Sequence, residues 1–448
     1  MISNVVTDIF AAIIVLGIII VIHELGHFLV AKFFKIRVDT FSIGFGPRLV
    51  GFRYGETDYR ISVFPLGGYV RMAGAIPTDA ATGSPHEFLS KPKWQRFLVA
   101  AAGPAMNVVL AVALLTGLFM VGAEVPAFSE GDAFIGTVDR GSAAEAAGLQ
   151  SGDRIVRIDG KVRPNWEEVD ARIATNAGRK LAVAVDRNGK LIETFMTPVK
   201  QGRSETGNAG LYPHYQETNV IERIVPESPA QAAGLQPGDA ITSVNGVEIN
   251  APSARAVRDS IQSVPETQEV FPLAFVRNGE LHEVRMSRIL KADQQIVGIE
   301  GFVTPTVTIK ENFTGALNRS IDKNIEYGTL IFQVLGKLVK REVPMKAVDG
   351  PIGIVRVAGQ SYKAGLAPLL MLMAMISLNL GVMNLLPIPI LDGGVMLMLI
   401  VEGVMGQDLS LAAKERIVQF GFVFLVLMTA VVLYNDISKL LPASITGQ

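Results

Sequence analysis

His23-Glu24-Leu25-Gly26-His27 lies inside a stretch that otherwise has the composition of a membrane span. Residues 9–22 carry no charge, and Phe28-Leu29-Val30-Ala31 returns to apolar sequence before Lys32. On a helix, positions i and i+4 stack on one face, so His23 and His27 project together, about 6 Å apart. Two neutral imidazoles at that spacing suit one zinc ion, with Glu24 beside it as a proton acceptor. On a soluble surface helix such a match arises readily by chance. At bilayer depth each ionisable group costs roughly 2.5–3.5 kcal/mol to insert, so three within five positions need a compensating partner. A metal ion meets that need for all three.

Working outward, four runs with few or no charges reach the roughly 20 residues of a spanning helix. They cover residues 9–34, 97–123, 364–391 and 417–435. Basic residues crowd the connection after the first run, Lys35, Arg37, Arg48, Arg53, Arg60 and Arg71 among them, whereas Asp8 is the only charge before it. That asymmetry turns the first connection to the cytoplasm and the long segment between the second and third runs to the outside. At about 1.5 Å per residue, His23 lies about 21 Å and His27 about 27 Å from Ile9, within a core of about 30 Å. The metal is therefore expected inside the membrane, nearer its cytoplasmic face. A cleaved leader is not expected: the N-terminus lacks a basic region, and cleavage near residue 22 would discard the histidines.

The composition agrees. Of 448 residues, 49% are hydrophobic, too many for an ordinary soluble enzyme. A formal net charge of −1 implies no nucleic-acid partner. Cysteine is absent, which leaves His, Asp and Glu as the available metal donors.

Four further stretches carry information. Residues 41–47 and 60–72 read as short strands separated by Gly and Pro turns. This apolar hairpin offers an edge, at Gly67, Gly68 and Tyr69, on which an extended peptide could pair. His86 beyond it reads as a surface histidine. Ala102-Gly103-Pro104-Ala105-Met106-Asn107 permits close helix packing and a kink, with Asn107 in a structural role against the histidine helix. Residues 142–155 recur as residues 228–241, and Asp159-Gly160 and Asn245-Gly246 follow at the same offset as hairpin turns. Residues 311–343 read as an amphipathic helix for the outer membrane surface or for the flank of the active-site entrance. Finally, Asn379-Leu380-Gly381-Val382-Met383-Asn384 leads to Pro387, Pro389 and Leu391-Asp392-Gly393-Gly394. The prolines break the helix, so this backbone must line an enclosed or watery cavity. Asp392 is the only acid between Asp349 and Glu402 and is the natural third zinc ligand. Asn379 and Asn384 suit a hydrogen bond to a substrate backbone or to the oxyanion, or else helix–helix contact.

Together these residues resemble the site-2 protease family of intramembrane zinc metalloproteases. The resemblance rests on His-Glu-Leu-Gly-His at 23–27, Pro-Leu-Gly-Gly-Tyr at 65–69, Ala-Gly-Pro-x-x-Asn at 102–107 and Asn-x-x-Pro-x-Pro-x-Leu-Asp-Gly at 384–393. The repeated units resemble PDZ domains, and the order matches the bacterial type with two of them. It implies a multi-pass α-helical membrane protein with four transmembrane helices, a membrane-associated β-hairpin and two β-rich extracytoplasmic PDZ-like domains. The expected division is 1–125 (helices one and two with the hairpin), 126–200 and 210–290 (PDZ-like), 305–345 (amphipathic helix) and 350–448 (helices three and four). By the resemblance, His23, His27 and Asp392 bind Zn2+ and Glu24 is the catalytic base. Relatives often have a histidine where this chain has Val395, a position that is not a ligand. The implied substrates are single-pass membrane proteins, either anti-sigma factor-like or remnant signal peptides. The implied location is the bacterial inner membrane, with the PDZ-like domains periplasmic, binding peptides or excluding bulky ectodomains. A metal-dependent transporter or a non-catalytic PDZ scaffold would share some of these features. Neither explains a carboxylate beside two histidines together with a third ligand.

Overall fold

The computed structural model describes residues 2–75, 83–201, 205–213, 218–249, 254–265, 267–291, 294–299, 301–340 and 350–440. The chain divides into two compact units, one of residues 1–123, 201–206 and 309–448, the other of residues 124–200 and 207–308.

The first unit is helical. Its helices are α1 (Ile2–Phe33), α2 (Lys93–Val121), α3 (Phe313–Val339), α4 (Pro351–Ala364), α5 (Leu366–Asn384), α6 (Asp392–Met405) and α7 (Leu411–Leu440). Among the described residues, four helical stretches are long and apolar enough to cross a membrane: Val5–Phe33, Lys93–Val121, Leu366–Asn384 and Ala412–Ser438. The third is shorter than its apolar run of sequence. Pro387 and Pro389 cannot continue a helix, so α5 stops at Asn384 and Asp392 opens a new one. At the other end Gly365, with φ of +119°, separates α4 from α5.

Small residues bring α1 and α2 together. A Cβ on Gly26 would sit 2.7 Å from Met106 Cγ and 2.8 Å from the Ala102 carbonyl carbon. Val15, Ile19, Leu369 and Met373 form a buried apolar layer between α1 and α5. Two polar ties hold the later helices. Asp436 of α7 accepts from the backbone N–H groups of Gly350, Ile352 and Gly353 at 2.9, 3.0 and 3.3 Å, capping α4 from outside its own chain segment. Lys414 pairs with buried Glu402 at 2.6 Å, and Lys93 reaches both the Glu402 carbonyl (2.8 Å) and Asp408 (3.0 Å). The Lys93 hydrogen bond holds the Asp408 carboxyl below its usual range.

The amphipathic helix α3 packs with the opposite sense to a soluble one. Ala316, Ser320 and Asn324 are buried, with Thr116 donating to Ser320 across a 3.1 Å hydrogen bond, while Phe313, Ile325 and Phe332 face out. Small and polar contacts inside with large apolar groups outside suit a lipid environment.

Strands β1 (Val38–Tyr54) and β2 (Thr57–Met72) are longer than the sequence pattern suggests. The first half of β1 pairs on both sides: Phe41 lies opposite Val70 and Tyr59, and Ser42 opposite Tyr69 and Arg60. The second half folds back, Phe52 opposite Tyr59, through bends at Gly44 and Gly46, both at positive φ. The hairpin thus makes four pleats, with residues 68–72 as one edge.

The second unit holds two modules of the same build. One has β3 (Arg154–Ile158), β4 (Lys161–Val162), β5 (Leu181–Arg187) and β6 (Lys190–Met196) in the order β4-β3-β5-β6. The other has β7 (Ala240–Val244), β8 (Val247–Glu248), β9 (Val270–Arg277) and β10 (Glu280–Ser287) in the order β8-β7-β9-β10. Each has its own core, around Trp166 and Ile155 in one and Phe271 and Ile241 in the other. The repeated Gly-Asp is structural. Arg187 grips buried Asp153 at 2.6 and 2.8 Å, and Arg277 grips Asp239 at 2.7 and 2.8 Å. Each arginine also donates to the carbonyl of the preceding turn glycine, Gly148 or Gly234.

Candidate metal centre

His23 and His27 reach the same point from consecutive turns of α1, their Nε2 atoms 3.2 Å apart. Asp392 arrives as the first residue of α6, with Oδ2 3.1 Å from His23 Nε2 and Oδ1 3.4 Å from His27 Nε2. The bend before it is tight: a Cβ on Gly393 would meet the Leu385 carbonyl carbon at 2.5 Å, and one on Gly394 the Ile388 carbonyl carbon at 2.6 Å. The two glycines after Asp392 let residues 385–391 wrap over the start of α6 and deliver its carboxylate. One donor atom from each of the three residues falls within 4.8 Å of the others.

The surroundings hold the rings. Nδ1 of His27 lies 2.7 Å from the Val99 carbonyl, which can only accept, so that nitrogen carries the proton and Nε2 presents its lone pair. Nδ1 of His23 lies 3.2 Å from the Asn107 side-chain nitrogen. Gly103 backs onto both rings. A Cβ there would overlap His27 Nε2 and come within 2.7 Å of Cε1 and Nε2 of His23. Two imidazole nitrogens and a carboxylate oxygen, converging where a side chain has been left out, form a donor set that fits zinc.

A cavity of about 510 Å³ opens from this point, lined by His23, Glu24, His27, Tyr69, Val70 and Asp392, among others. Glu24 is half-buried in its wall and accepts a hydrogen bond from the Val70 backbone on the hairpin edge. Gly68 lies against the stem of the same side chain, since a Cβ there would touch Glu24 Cγ at 3.4 Å. Tyr69 stacks on Phe45, with ring planes 8° apart and centroids 6.0 Å apart, and accepts from Arg60. Gly67, at φ +107°, packs under the Phe45 ring. Val395 lines the cavity and adds no donor. Asn379 is exposed and Asn384 half-buried, and neither lines the cavity. His86 is exposed, with Nδ1 2.9 Å from the Lys35 carbonyl, as a surface histidine should be.

Sequence reasoning did not single out Val99, Gly103 or the ring contact of Asn107. Gly103 and Asn107 left a trace, as a small and a polar residue in a spanning helix expected to pack against the histidine helix.

The model of peptidase family M50 matches residues 11–428. The chain belongs to that family. It is 33% identical to the protease RseP of Yersinia pestis, over 96% of this chain and 98% of that one. It is 31% identical to the regulator of sigma-E protease RseP of Salmonella typhimurium, with 96% and 98% covered. The regulator of sigma E protease of Haemophilus influenzae is likewise 31% identical, over the same shares. With four apolar helices and the M50 match over nearly its whole length, the chain is an intramembrane zinc metalloendopeptidase.

Proposed function

We propose that His23, His27 and Asp392 hold the zinc ion and that Glu24 is the general base and acid of peptide hydrolysis. The observation that carries this is the convergence of three donors, from α1 and α6, on the cavity that Glu24 also lines. Zinc bound there supplies Lewis acidity, bringing the pKa of water toward about 7 and polarising the carbonyl under attack. Glu24 takes a proton from the attacking water as the C–O bond forms and returns it to the leaving amine as the C–N bond breaks. The Val70 amide keeps the carboxylate turned into the cavity. Val99 and the helix packing keep the two rings in register.

The proposed substrate is a single-pass membrane protein, of the anti-sigma factor or remnant signal-peptide kind. A spanning helix hides its carbonyls in i to i−4 hydrogen bonds and must unwind before attack. The edge at Gly67, Gly68 and Tyr69 lies beside Glu24 and is suited to hold the unwound strand by main-chain pairing. Asn379 and Asn384, outside the cavity wall, would meet substrate away from the scissile bond. We place the protein in a bacterial inner membrane, with the two modules, read as PDZ-like, on the periplasmic side. Their position in sequence, between the second and third spans, motivates a role in excluding substrates with bulky ectodomains.

Two experiments test this. Asp392→Ala removes one of three ligands and should purify with zinc well below one per chain and no detectable cleavage of a tagged single-span peptide in detergent. Full zinc occupancy in that variant would remove Asp392 from the ligand set. Deleting residues 126–290 should permit cleavage of a substrate that retains its ectodomain, while unchanged selectivity would sink the exclusion role.

A further inference from the structure

We propose that Asn107 is a positioning residue of the metal centre, whose side-chain amide holds the His23 ring with its proton on Nδ1 and its lone pair at Nε2. The proposal deepens the ligand assignment above and rests on it. Asn107 is fully buried in α2, and its backbone carbonyl accepts from Ser377 of α5 at 2.8 Å, so the residue is fixed between helices. Its side-chain nitrogen lies 3.2 Å from Nδ1 of His23.

A neutral imidazole has one N–H and one lone pair. His23 directs Nε2 at His27 and Asp392, so binding a metal there requires the proton on Nδ1, and that proton requires an acceptor. For His27 the acceptor is the Val99 carbonyl. His23 meets the Asn107 amide instead, a group that presents either nitrogen or oxygen after a half-turn. With the nitrogen toward the ring, the Asn107 Oδ1 is buried without a donor. The half-turn brings that oxygen to Nδ1–H and fixes the ring in its metal-binding form. The two amide orientations thus match the two tautomers of His23, and zinc binding selects the one with oxygen facing the ring. A residue that served only as contact between α1 and α2 would leave metal affinity alone.

The test uses the full-length protein in detergent, stripped of metal and titrated with zinc against a chelator, with the thermal midpoint of each zinc-free variant measured alongside. Asn107→Leu keeps the shape and removes the acceptor; Asn107→Asp keeps the shape and an acceptor oxygen. The expected result is a zinc affinity about 10–100-fold weaker in Asn107→Leu and within about threefold of wild type in Asn107→Asp, with similar zinc-free midpoints. If leucine does not fold at this site, Asn107→Ala removes the same amide with less bulk and is read the same way. Wild-type affinity in the leucine or alanine variant, or equal losses in those and in Asn107→Asp, would overturn the proposal. His27→Ala runs in the same titration. Unaltered zinc binding there would overturn the ligand set itself, and this proposal with it.

Discussion

Gly103→Ala is expected to bind zinc at least about 100-fold more weakly than wild type and to have no measurable activity, while its helices remain folded. The added methyl would overlap His27 Nε2 and press on His23 at 2.7 Å, closer than carbon and nitrogen can pack. Separating α1 from α2 to make room would open the close packing of Gly26 on the Ala102 backbone one turn away, which rotation of the rings leaves intact. The rings must therefore swing. His27 then loses its 2.7 Å bond to Val99, and the two Nε2 atoms lose their common focus with Asp392. A displacement of about 1 Å in such a site costs on the order of 100-fold in rate, and loss of what orients a ligand costs about 10–100-fold in metal affinity. Gly117 is the control, since it lies on the same helix and a Cβ there meets nothing within 4 Å. Gly117→Ala should keep full zinc content. Zinc content and circular dichroism of the two variants check the pair. A Gly103→Ala protein with normal zinc would show that the rings have slack that this packing denies them.

Glu24→Gln should give the opposite separation, with zinc retained and turnover lost. Glutamine fills the same volume beside Gly68 and can still accept from the Val70 amide, so the ligands on either side are undisturbed. It cannot take up a proton. Losing general acid–base catalysis lowers kcat by about 10²–10⁴, with KM little changed because no substrate contact is removed. Single-turnover cleavage of a fluorogenic transmembrane peptide, with zinc measured on the same sample, distinguishes the outcomes. Turnover within tenfold of wild type would assign the base elsewhere.

Much of this site is legible in the sequence because membrane depth makes polar residues conspicuous. His23, Glu24 and His27 stand out against uncharged flanks, and Asp392 follows from being the only acid in its stretch. The duplication in the second unit is equally plain, since the same glycine, aspartate and arginine recur and make the same grip twice. What the sequence hides depends on distant contacts. Val99 acts through its carbonyl, which any residue would supply, and Gly103 acts through an absent side chain. Asn107 reads as helix contact until its distance from His23 is known. Hydropathy carries the run 364–391 past the end of α5, although Pro387 and Pro389 mark the break, and Asn379 within it gives no sign of which side it faces. The hairpin is underestimated because residues 48–54 carry arginines and alternate poorly, yet pair once the glycine bends turn them back.

The zinc K-edge X-ray absorption spectrum of the purified protein reports the ligand set itself. The chain has no cysteine, so no thiolate sulfur can enter the coordination sphere. A site of His23, His27 and Asp392 should show two imidazoles, with nitrogens at about 2.0–2.1 Å, and carboxylate oxygen at about 2.0–2.2 Å, with one imidazole lost in His27→Ala. A spectrum with fewer than two imidazoles in the wild-type protein, or one unchanged in His27→Ala, would contradict it.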